Sequence, residues 1–322
     1  MKNTIPVFYA ADDNYLPYLA VSLASIKKYA TKENEYFVYI LYTGELGDNA
    51  EKIKDMQTKN VRVEFIDVSE RAKQINGVIR CRDYYTSAIY FRLFIPDLFP
   101  EIDKAVYIDC DTVLLDDIAK LYQTDIGENY IGAVADQAVA SVEAFRIYTK
   151  NALDIPAEKY FNSGVIVLNL KKLRALKFFQ TFYGILSSYD FIVAPDQDCL
   201  NLICKDNVHY LDLEWNTMPI AESYVHPPKL VHYNLSMKPW HYKGTEYEEY
   251  FWDFASQTPF YGEIVNALEC FTAEQKQQDR EDGERLIKLA LAEAESPNNY
   301  IRKIRQKMKN EVGRYGFIQN IT

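Results

Sequence analysis

The chain has little that would staple it together or anchor it. Its five cysteines, Cys81, Cys110, Cys199, Cys204 and Cys270, are odd in number and form no Cys-x-x-Cys pair. That argues against a disulfide framework or a structural zinc site and points to a reducing compartment. No apolar run reaches membrane-spanning length. The opening Met1-Lys2-Asn3-Thr4-Ile5-Pro6-Val7 enters a strand-like segment without the apolar core of a signal peptide. The expectation is a cytoplasmic protein, at most peripheral on the inner face of a membrane. Positive charge is also short: 36 Lys and Arg face 46 Asp and Glu, a net charge of −10. General nucleic-acid binding, which needs clustered cations against phosphate, is thereby disfavoured. No internal repeat or low-complexity tract stands out.

What is present suffices for a large core. The 322 residues are 48% hydrophobic and 25% charged, enough for one big domain or a domain with an appendage. Short apolar runs alternate with helical patterns. Residues 6–11, 36–42, 61–68, 105–109, 130–135 and 164–170 read as strands. A helix follows the first of them, capped by an Asp or Asn, with Pro17 in its first turn and Leu16, Leu19, Leu23 and Ile26 on one face. Further helices are predicted over 50–59, 84–99, 171–189 and 196–204. Such alternation means an α/β protein with a Rossmann-like, mostly parallel central sheet covered by helices on both faces. Ligands then bind beyond the carboxyl ends of the strands. Asp12 and Asn14, Asp109 and Asp111, and Asp136 all fall at such ends.

After about residue 255 the pattern changes, which divides the chain into an α/β domain over 1–255 and a helical C-terminal region over 256–322. Residues 272–295 form an acidic helical stretch, interrupted by Pro297-Asn298-Asn299. From Pro297 to Thr322 six Lys and Arg stand against one Glu. Ile301, Ile304, Met308, Val312 and Tyr315 recur at helical spacing opposite Arg302, Lys303, Arg305 and Lys309. A basic amphipathic helix of this kind lies on an anionic membrane or packs on an acidic surface, its own or a partner's.

The chemistry is concentrated in Tyr107-Ile108-Asp109-Cys110-Asp111. On a strand, residues two apart point to the same side, so Asp109 and Asp111 would converge on one cation. Oxygen ligands suit Mg²⁺ or Mn²⁺, which hold a diphosphate and stabilise its departure. The bland alternative is a turn followed by a helix cap. His232 closes another apolar run and would add an imidazole to the carboxylates, a mixed set that tolerates Mn²⁺. Lys238 stands six residues on, placed to meet phosphate charge. Pro195-Asp196-Gln197-Asp198 opens a helix, where acids are common caps.

Together these clusters resemble glycosyltransferase family 8, most of all the bacterial lipopolysaccharide α-galactosyltransferases and their glucosyltransferase relatives. The likeness is carried by Tyr9-Ala10-Ala11-Asp12-Asp13-Asn14-Tyr15, Arg92, Asp109-Cys110-Asp111, Tyr160-Phe161-Asn162-Ser163-Gly164-Val165, Asp196-Gln197-Asp198 and the segment from His232 to Trp240. It spans residues 5 to 245 with the motifs in order. The resemblance implies a GT-A fold, a UDP-hexose donor and retention of anomeric configuration. It also implies Mn²⁺, with Mg²⁺ as the alternative, bound by Asp109, Asp111 and His232. Ala10, Asp12, Asn14 and Tyr15 would hold the uridine, Tyr15 stacking on the base, and Lys238 would contact the diphosphate. Arg92, Asp136, Asn162, Ser163, Asp196 and Gln197 would surround the sugar, with Gln197 presenting its amide to the reacting face. The implied acceptor is a glycan, glycolipid or cell-envelope polymer. Its pocket is expected from loops 70–85 and 212–228, where Met218, Pro219, Tyr224, Pro227 and Pro228 suggest an aromatic-lined wall. Leu235 stands where the family usually has a phosphate-contacting Gly, and Tyr84 where the galactosyltransferases carry a His.

Two other classes fit parts of the pattern. Asp109-Cys110-Asp111-Thr112 matches the DxDxT motif of haloacid-dehalogenase-type phosphatases, although a hundred residues of strand and helix precede it. A nucleotide-sugar binding protein without turnover would share the donor residues.

Overall fold

A computed structural model of the chain describes residues 3–79, 86–220, 225–234 and 236–318, with side chains described through residue 309. Cys81, Tyr84, Tyr224 and Leu235, and the side chains of Val312 and Tyr315, lie outside the described residues.

Nine strands are found there: β1 (Asn3–Ala10), β2 (Asn34–Tyr42), β3 (Val61–Asp67), β4 (Lys104–Ile108), β5 (Thr112–Leu114), β6 (Ile131–Ala135), β7 (Phe161–Asn169), β8 (Val208–Tyr210) and β9 (Leu230–His232). Seven form one sheet in the order β3-β2-β1-β4-β7-β6-β8, while β5 and β9 make a separate pair. All neighbours in the large sheet run parallel except β7, which is antiparallel to both β4 and β6. The expected mostly parallel α/β sheet with a helical C-terminal part is present.

Both faces are buried along the central strands β1, β4, β6 and β7, which is why these read as near-continuous apolar runs, whereas the edge strand β3 alternates buried and exposed residues. Along β1, Ile5, Val7 and Tyr9 enter one core, while Phe8 enters the other. The helix Leu16–Tyr29 covers the first core with Leu16, Leu19, Leu23 and Ile26, all essentially buried. Each such side chain contributes about 1.5–3 kcal/mol by leaving water. The second core is roofed by the segment Ser87–Phe94, through Tyr90, Phe91, Leu93 and Phe94.

Three local expectations change. Residues 84–99 do not form one α-helix: Ser87–Phe94 is a 3₁₀ run, and a new short helix starts at Ile95 with Pro96 in its first turn. A proline at 96 has no N–H and its ring would strike the carbonyl of residue 92, so one α-helix cannot pass through. The predicted helix over 171–189 is two, Leu170–Ala175 and Phe178–Ser188. Lys177 breaks it by adopting a left-handed conformation, φ 53°, which ends a helix as a C-terminal glycine does. Finally, Asp109 and Asp111 are not on a strand. β4 ends at Ile108, and the pair occupies the turn into β5.

The C-terminal region lies against this body. Phe251 and Phe254 from the helix Glu248–Ala255, with Phe260 and Ile264 beside them, belong to the first core. The long helix Ala273–Glu295 begins with a capping box between Thr272 and Gln275 and inserts Ala290 into the second core. The following helix, Tyr300–Ile318, docks by its first turns: Tyr300 packs on Tyr189 and Phe191, each at 5.5 Å, and Arg305 reaches Asp154 at 3.3 Å. Beyond that contact Met308 is 60% exposed. No described helix is long and apolar enough to cross a membrane.

Candidate active site

The carboxyl ends of β1 and β4 and the amino end of antiparallel β7 meet at one edge of the sheet. Asp109 N donates to Gly164 O at 2.8 Å, which stitches the end of β4 to β7. Reversal of β7 is what carries Asn162, Ser163 and Gly164 to the acids. β9 pairs antiparallel with β5, setting His232 opposite Thr112. These elements floor a cavity of about 380 Å³. Seven aspartates line it (Asp12, Asp109, Asp111, Asp136, Asp196, Asp279 and Asp282) against Arg92 and Lys238. An anionic ligand therefore needs a cation with it.

In each carboxylate of the pair, one oxygen is engaged and the other is aimed at His232. Asp109 Oδ1 accepts from Tyr107 Oη at 2.9 Å and from Arg92 Nη2 at 3.2 Å. Its Oδ2 lies 3.8 Å from His232 Nε2. Asp111 Oδ2 accepts from Lys238 Nζ, which also donates to Tyr233 O at 2.7 Å, and Asp111 Oδ1 lies 3.2 Å from His232 Nε2. Burial works to raise the Asp111 carboxyl, but the Lys238 ammonium and His232 outweigh it and hold it well below the usual carboxylate range. Ligand atoms of Asp109, Asp111 and His232 all lie within 4.8 Å of one another.

A cation fits this set. Two carboxylate oxygens and an imidazole nitrogen face one point, and that point is open because residue 164 is glycine. A Cβ there would overlap His232 Cε1 and come within 2.6 Å of Asp109 Oδ2. Asp109, Asp111 and His232 could thus hold Mn²⁺ or Mg²⁺ by oxygen and nitrogen donors.

Beside the cluster lies a ring of polar groups. Asp136 Oδ2 accepts from Asn162 Nδ2 at 3.1 Å and Gln197 Nε2 at 2.9 Å, while its Oδ1 caps the helix Gln137–Ser141 through Val139 N. Gln197 Oε1 accepts from Ser163 N at 2.9 Å and Ser163 Oγ at 3.1 Å. The backbone N–H of Ser163 is an unambiguous donor, so it fixes which way the Gln197 amide points. That oxygen is consequently engaged rather than free. Asp196 differs: its Oδ2 is buried, and among the described residues it has no hydrogen-bond partner, Arg92 Nη2 standing 3.6 Å away. Burial, against the pull of Arg92 and aided by Asp109, pushes the Asp196 carboxyl up to about 6. Asp198 faces away and is structural, accepting from Tyr148 Oη and Tyr160 Oη at 2.7 Å each.

On the far side, Ala10, Asp12 and Tyr15 line the cavity. Asp12 caps the turn that follows β1, accepting from Tyr15 N at 3.2 Å. Asn14 is exposed and is not among the lining residues. Of the residues assigned to the donor and the cation, it alone is not brought to the cavity.

The structure adds residues that sequence reasoning missed. Asp279, Asp282, Gly283, Leu286 and Ile287 of the helix Ala273–Glu295 form one wall. Their spacing of three and four marks a single helix face, and a glycine inside an Ala- and Glu-rich helix was the available signal. Tyr242 Oη donates to Asp279 Oδ2 at 2.7 Å and His241 stacks on Phe271 at 4.0 Å. The segment carrying Lys238 is thereby tied to that helix. Residues 70–79, 212–220 and 225–228, the described parts of the loops expected to build the acceptor pocket, do not line this cavity. Asn216, buried behind His232, had no sequence signal at all.

Fold and site together define an α/β protein with an acidic, cation-ready cavity at the carboxyl edge of its sheet. The chain belongs to glycosyl transferase family 8, whose profile matches residues 6–244, and is accordingly a glycosyltransferase. The family also accounts for the DxDxT match without a phosphatase. The chain is 31% identical to General stress protein A of Bacillus subtilis over 225 residues, 67% of this chain and 73% of that protein. It is 31% identical to a lipopolysaccharide 1,2-glucosyltransferase of Escherichia coli K12, over 73% of this chain and 72% of that one. Among solved structures it resembles the galactosyltransferase LgtC in complex with donor and acceptor sugar analogs. There the TM-score is 0.70 at 28% identity, covering 80% of this chain and 99% of that one. The bifunctional glycosyltransferase WbbM also superposes with a TM-score of 0.70 at 25% identity, and the match covers 83% of this chain and 52% of that one.

Proposed function

We propose that this chain is a retaining hexosyltransferase. It moves galactose or glucose from a UDP-sugar to a glycan, glycolipid or cell-envelope acceptor, with Mn²⁺ or Mg²⁺ at Asp109, Asp111 and His232. The observation that carries the reading is the convergence of Asp109 Oδ2, Asp111 Oδ1 and His232 Nε2 on one point of an acidic cavity. The lipopolysaccharide glucosyltransferases among the relatives, and the donor and acceptor analogs bound to LgtC, support the substrate class.

When bound, the cation supplies Lewis-acid neutralisation of the departing diphosphate. Lys238 adds a fixed positive charge at the same edge, where negative charge develops. Ala10, Asp12 and Tyr15 border the uridine, with the Tyr15 ring against the base. Arg92, Asp136, Asn162 and Ser163 hold the donor sugar, and Asp196 Oδ2, which has no hydrogen-bond partner among the described residues, accepts one of its hydroxyls. Asp196 and Asp136 stabilise the oxocarbenium-like sugar electrostatically, as carboxylates do in glycosidases. Gln197 is a poor nucleophile and its oxygen is engaged by Ser163, so the acceptor attacks from the leaving-group face without a covalent adduct. The acceptor approaches along the wall formed by Gly283, Leu286 and Ile287. Past its docked turns, the basic segment 297–322 contacts an anionic membrane surface.

UDP release from a panel of UDP-sugars, with Mn²⁺ and with EDTA, tests the reading. Metal-dependent release from one sugar is expected, and an Asp109→Asn/Asp111→Asn variant should lose it. Release that persists in EDTA and in the variant would refute the metal assignment, and a trapped glycosyl-enzyme would refute same-face attack.

Asp196 adds a pH dependence. Only its ionised form accepts hydroxyls at both oxygens and stabilises positive charge. Because its carboxyl is raised from 3.8 to about 6, donor turnover should fall as pH drops through that value and level off above it. A cation on Asp109 moves the midpoint lower. The kcat/KM profile for UDP release should show this acid limb, and Asp196→Asn should flatten it. An unchanged limb in the variant would assign it to another group.

A further inference from the structure

We propose that Asn216 is a positioning residue of the cation site, fixing the ring and proton arrangement of His232. The inference rests on the metal-assisted reading above and goes beyond it to a residue outside the ligand set. Asn216 is fully buried, and its Oδ1 lies 3.0 Å from His232 Nδ1.

The direction of that hydrogen bond follows from a chain of contacts with one fixed end. Gly164 N–H, a backbone donor that cannot reverse, donates to Asn162 Oδ1 at 2.9 Å. Asn162 is therefore oriented with its Nδ2 toward Asp136 Oδ2, at 3.1 Å, which can only accept when ionised. Asn162 Oδ1 also receives Asn216 Nδ2 at 2.9 Å. That contact turns Asn216 Oδ1 to His232, and an oxygen facing Nδ1 requires a proton there. Gln137 Nε2 holds the Asn216 carbonyl at 2.7 Å and keeps the segment from shifting.

With Nδ1 committed as a donor, Nε2 is the atom that faces Asp109 Oδ2 and Asp111 Oδ1. Two carboxylate oxygens there demand a positive partner at Nε2, a proton or a metal ion. Outer-shell partners of ligating histidines act in this way, orienting the ring and raising its basicity. The same amides touch the ring of donor-sugar residues through Asn162. Asn216 thus joins the cation site to the sugar site by continuous hydrogen bonds.

The test uses the full chain and Mn²⁺ alone as probe, with Asn216→Leu and Asn216→Asp variants. Leucine removes the acceptor at similar volume, and aspartate retains it. Mn²⁺ titration followed by electron paramagnetic resonance should show affinity falling about 10- to 100-fold in Asn216→Leu. The pulsed spectrum should lose the directly bound imidazole nitrogen coupling, and Asn216→Asp should restore it. Full affinity and an unchanged nitrogen coupling in Asn216→Leu would overturn the proposal. A second readout needs no metal: long-range ¹H–¹⁵N correlation at neutral pH should find His232 Nδ1 protonated in the parent chain. An unprotonated Nδ1 would overturn the assignment on its own. Failure of the parent to bind Mn²⁺ while Nδ1 is protonated would refute the metal-assisted reading, and with it any role for Asn216 in positioning a ligand.

Discussion

Gly164→Ala is expected to abolish metal-dependent UDP release while leaving the protein folded. The added Cβ would overlap His232 Cε1, come within 2.6 Å of Asp109 Oδ2 and sit 3.0 Å from His232 Nδ1. Neither neighbour can yield cheaply. The backbone of residue 164 is bound to Asp109 N at 2.8 Å and, through its own N–H, to Asn162 Oδ1 at 2.9 Å. His232 is held from behind by Asn216. The methyl must displace the imidazole or the carboxylate, and either movement scatters the three converging ligand atoms. Overpacking of this kind costs about 1–3 kcal/mol of stability, which a chain of this size survives. Mn²⁺ affinity should fall about 100-fold, in line with disruption of a ligand's support. Circular dichroism melts and a Mn²⁺ titration would separate the two effects. Full affinity in the variant would mean that the cation binds elsewhere.

Arg92→Leu should be the most destabilising single change in the site. Arg92 is buried, and its guanidinium pairs with Asp109 at 3.2 Å and Asp196 at 3.6 Å. It also donates to Ile89 O at 2.9 Å and to Ser163 O, and lies over the Tyr107 ring at 4.3 Å. Leucine, shorter and uncharged, removes every one of these contacts and leaves the buried Asp196 and the partly buried Asp109 without their cation. Breaking a buried pair from one side costs about 3–5 kcal/mol, a fall of roughly 5–10 °C in melting temperature for a chain of this length. Lysine should not rescue it, because a point charge cannot serve two carboxylates and two carbonyls at once. Mn²⁺ should recover part of the loss by neutralising Asp109. Thermal melts of Arg92→Leu and Arg92→Lys, with and without Mn²⁺, check this. A melting temperature within a degree of the parent would show that the two acids do not depend on Arg92.

The Asp109–Asp111 pair shows where pattern reasoning succeeds and why. Two acids at the end of an apolar run mark the carboxyl edge of a strand, and that edge is where the cavity lies. The supposed mechanism of convergence differs, since alternation on a strand plays no part. The turn after Ile108, the β5–β9 pair and the single engaged oxygen on each carboxylate aim them instead. Gln197 is a similar case: its place beside Asp136 was legible, but the engagement of its oxygen by Ser163 was not. Asn14 was misplaced because an adjacent position in a motif says nothing about which way the following turn faces.

By itself the sequence determined the alternation of strands and helices, the family, and which three side chains, Asp109, Asp111 and His232, meet at the edge of the cavity. Those properties rest on periodicity and on short motifs, each local in itself, read in order along the chain. Only the tertiary structure decided that β7 runs against its neighbours, that Gly164 opens the space between Asp109 and His232, and that Asn216 stands behind the imidazole. It also decided that a C-terminal helix walls the cavity. Each of these joins residues far apart in the chain, and hydrogen-bond direction and steric exclusion exist only once the fold has brought them together.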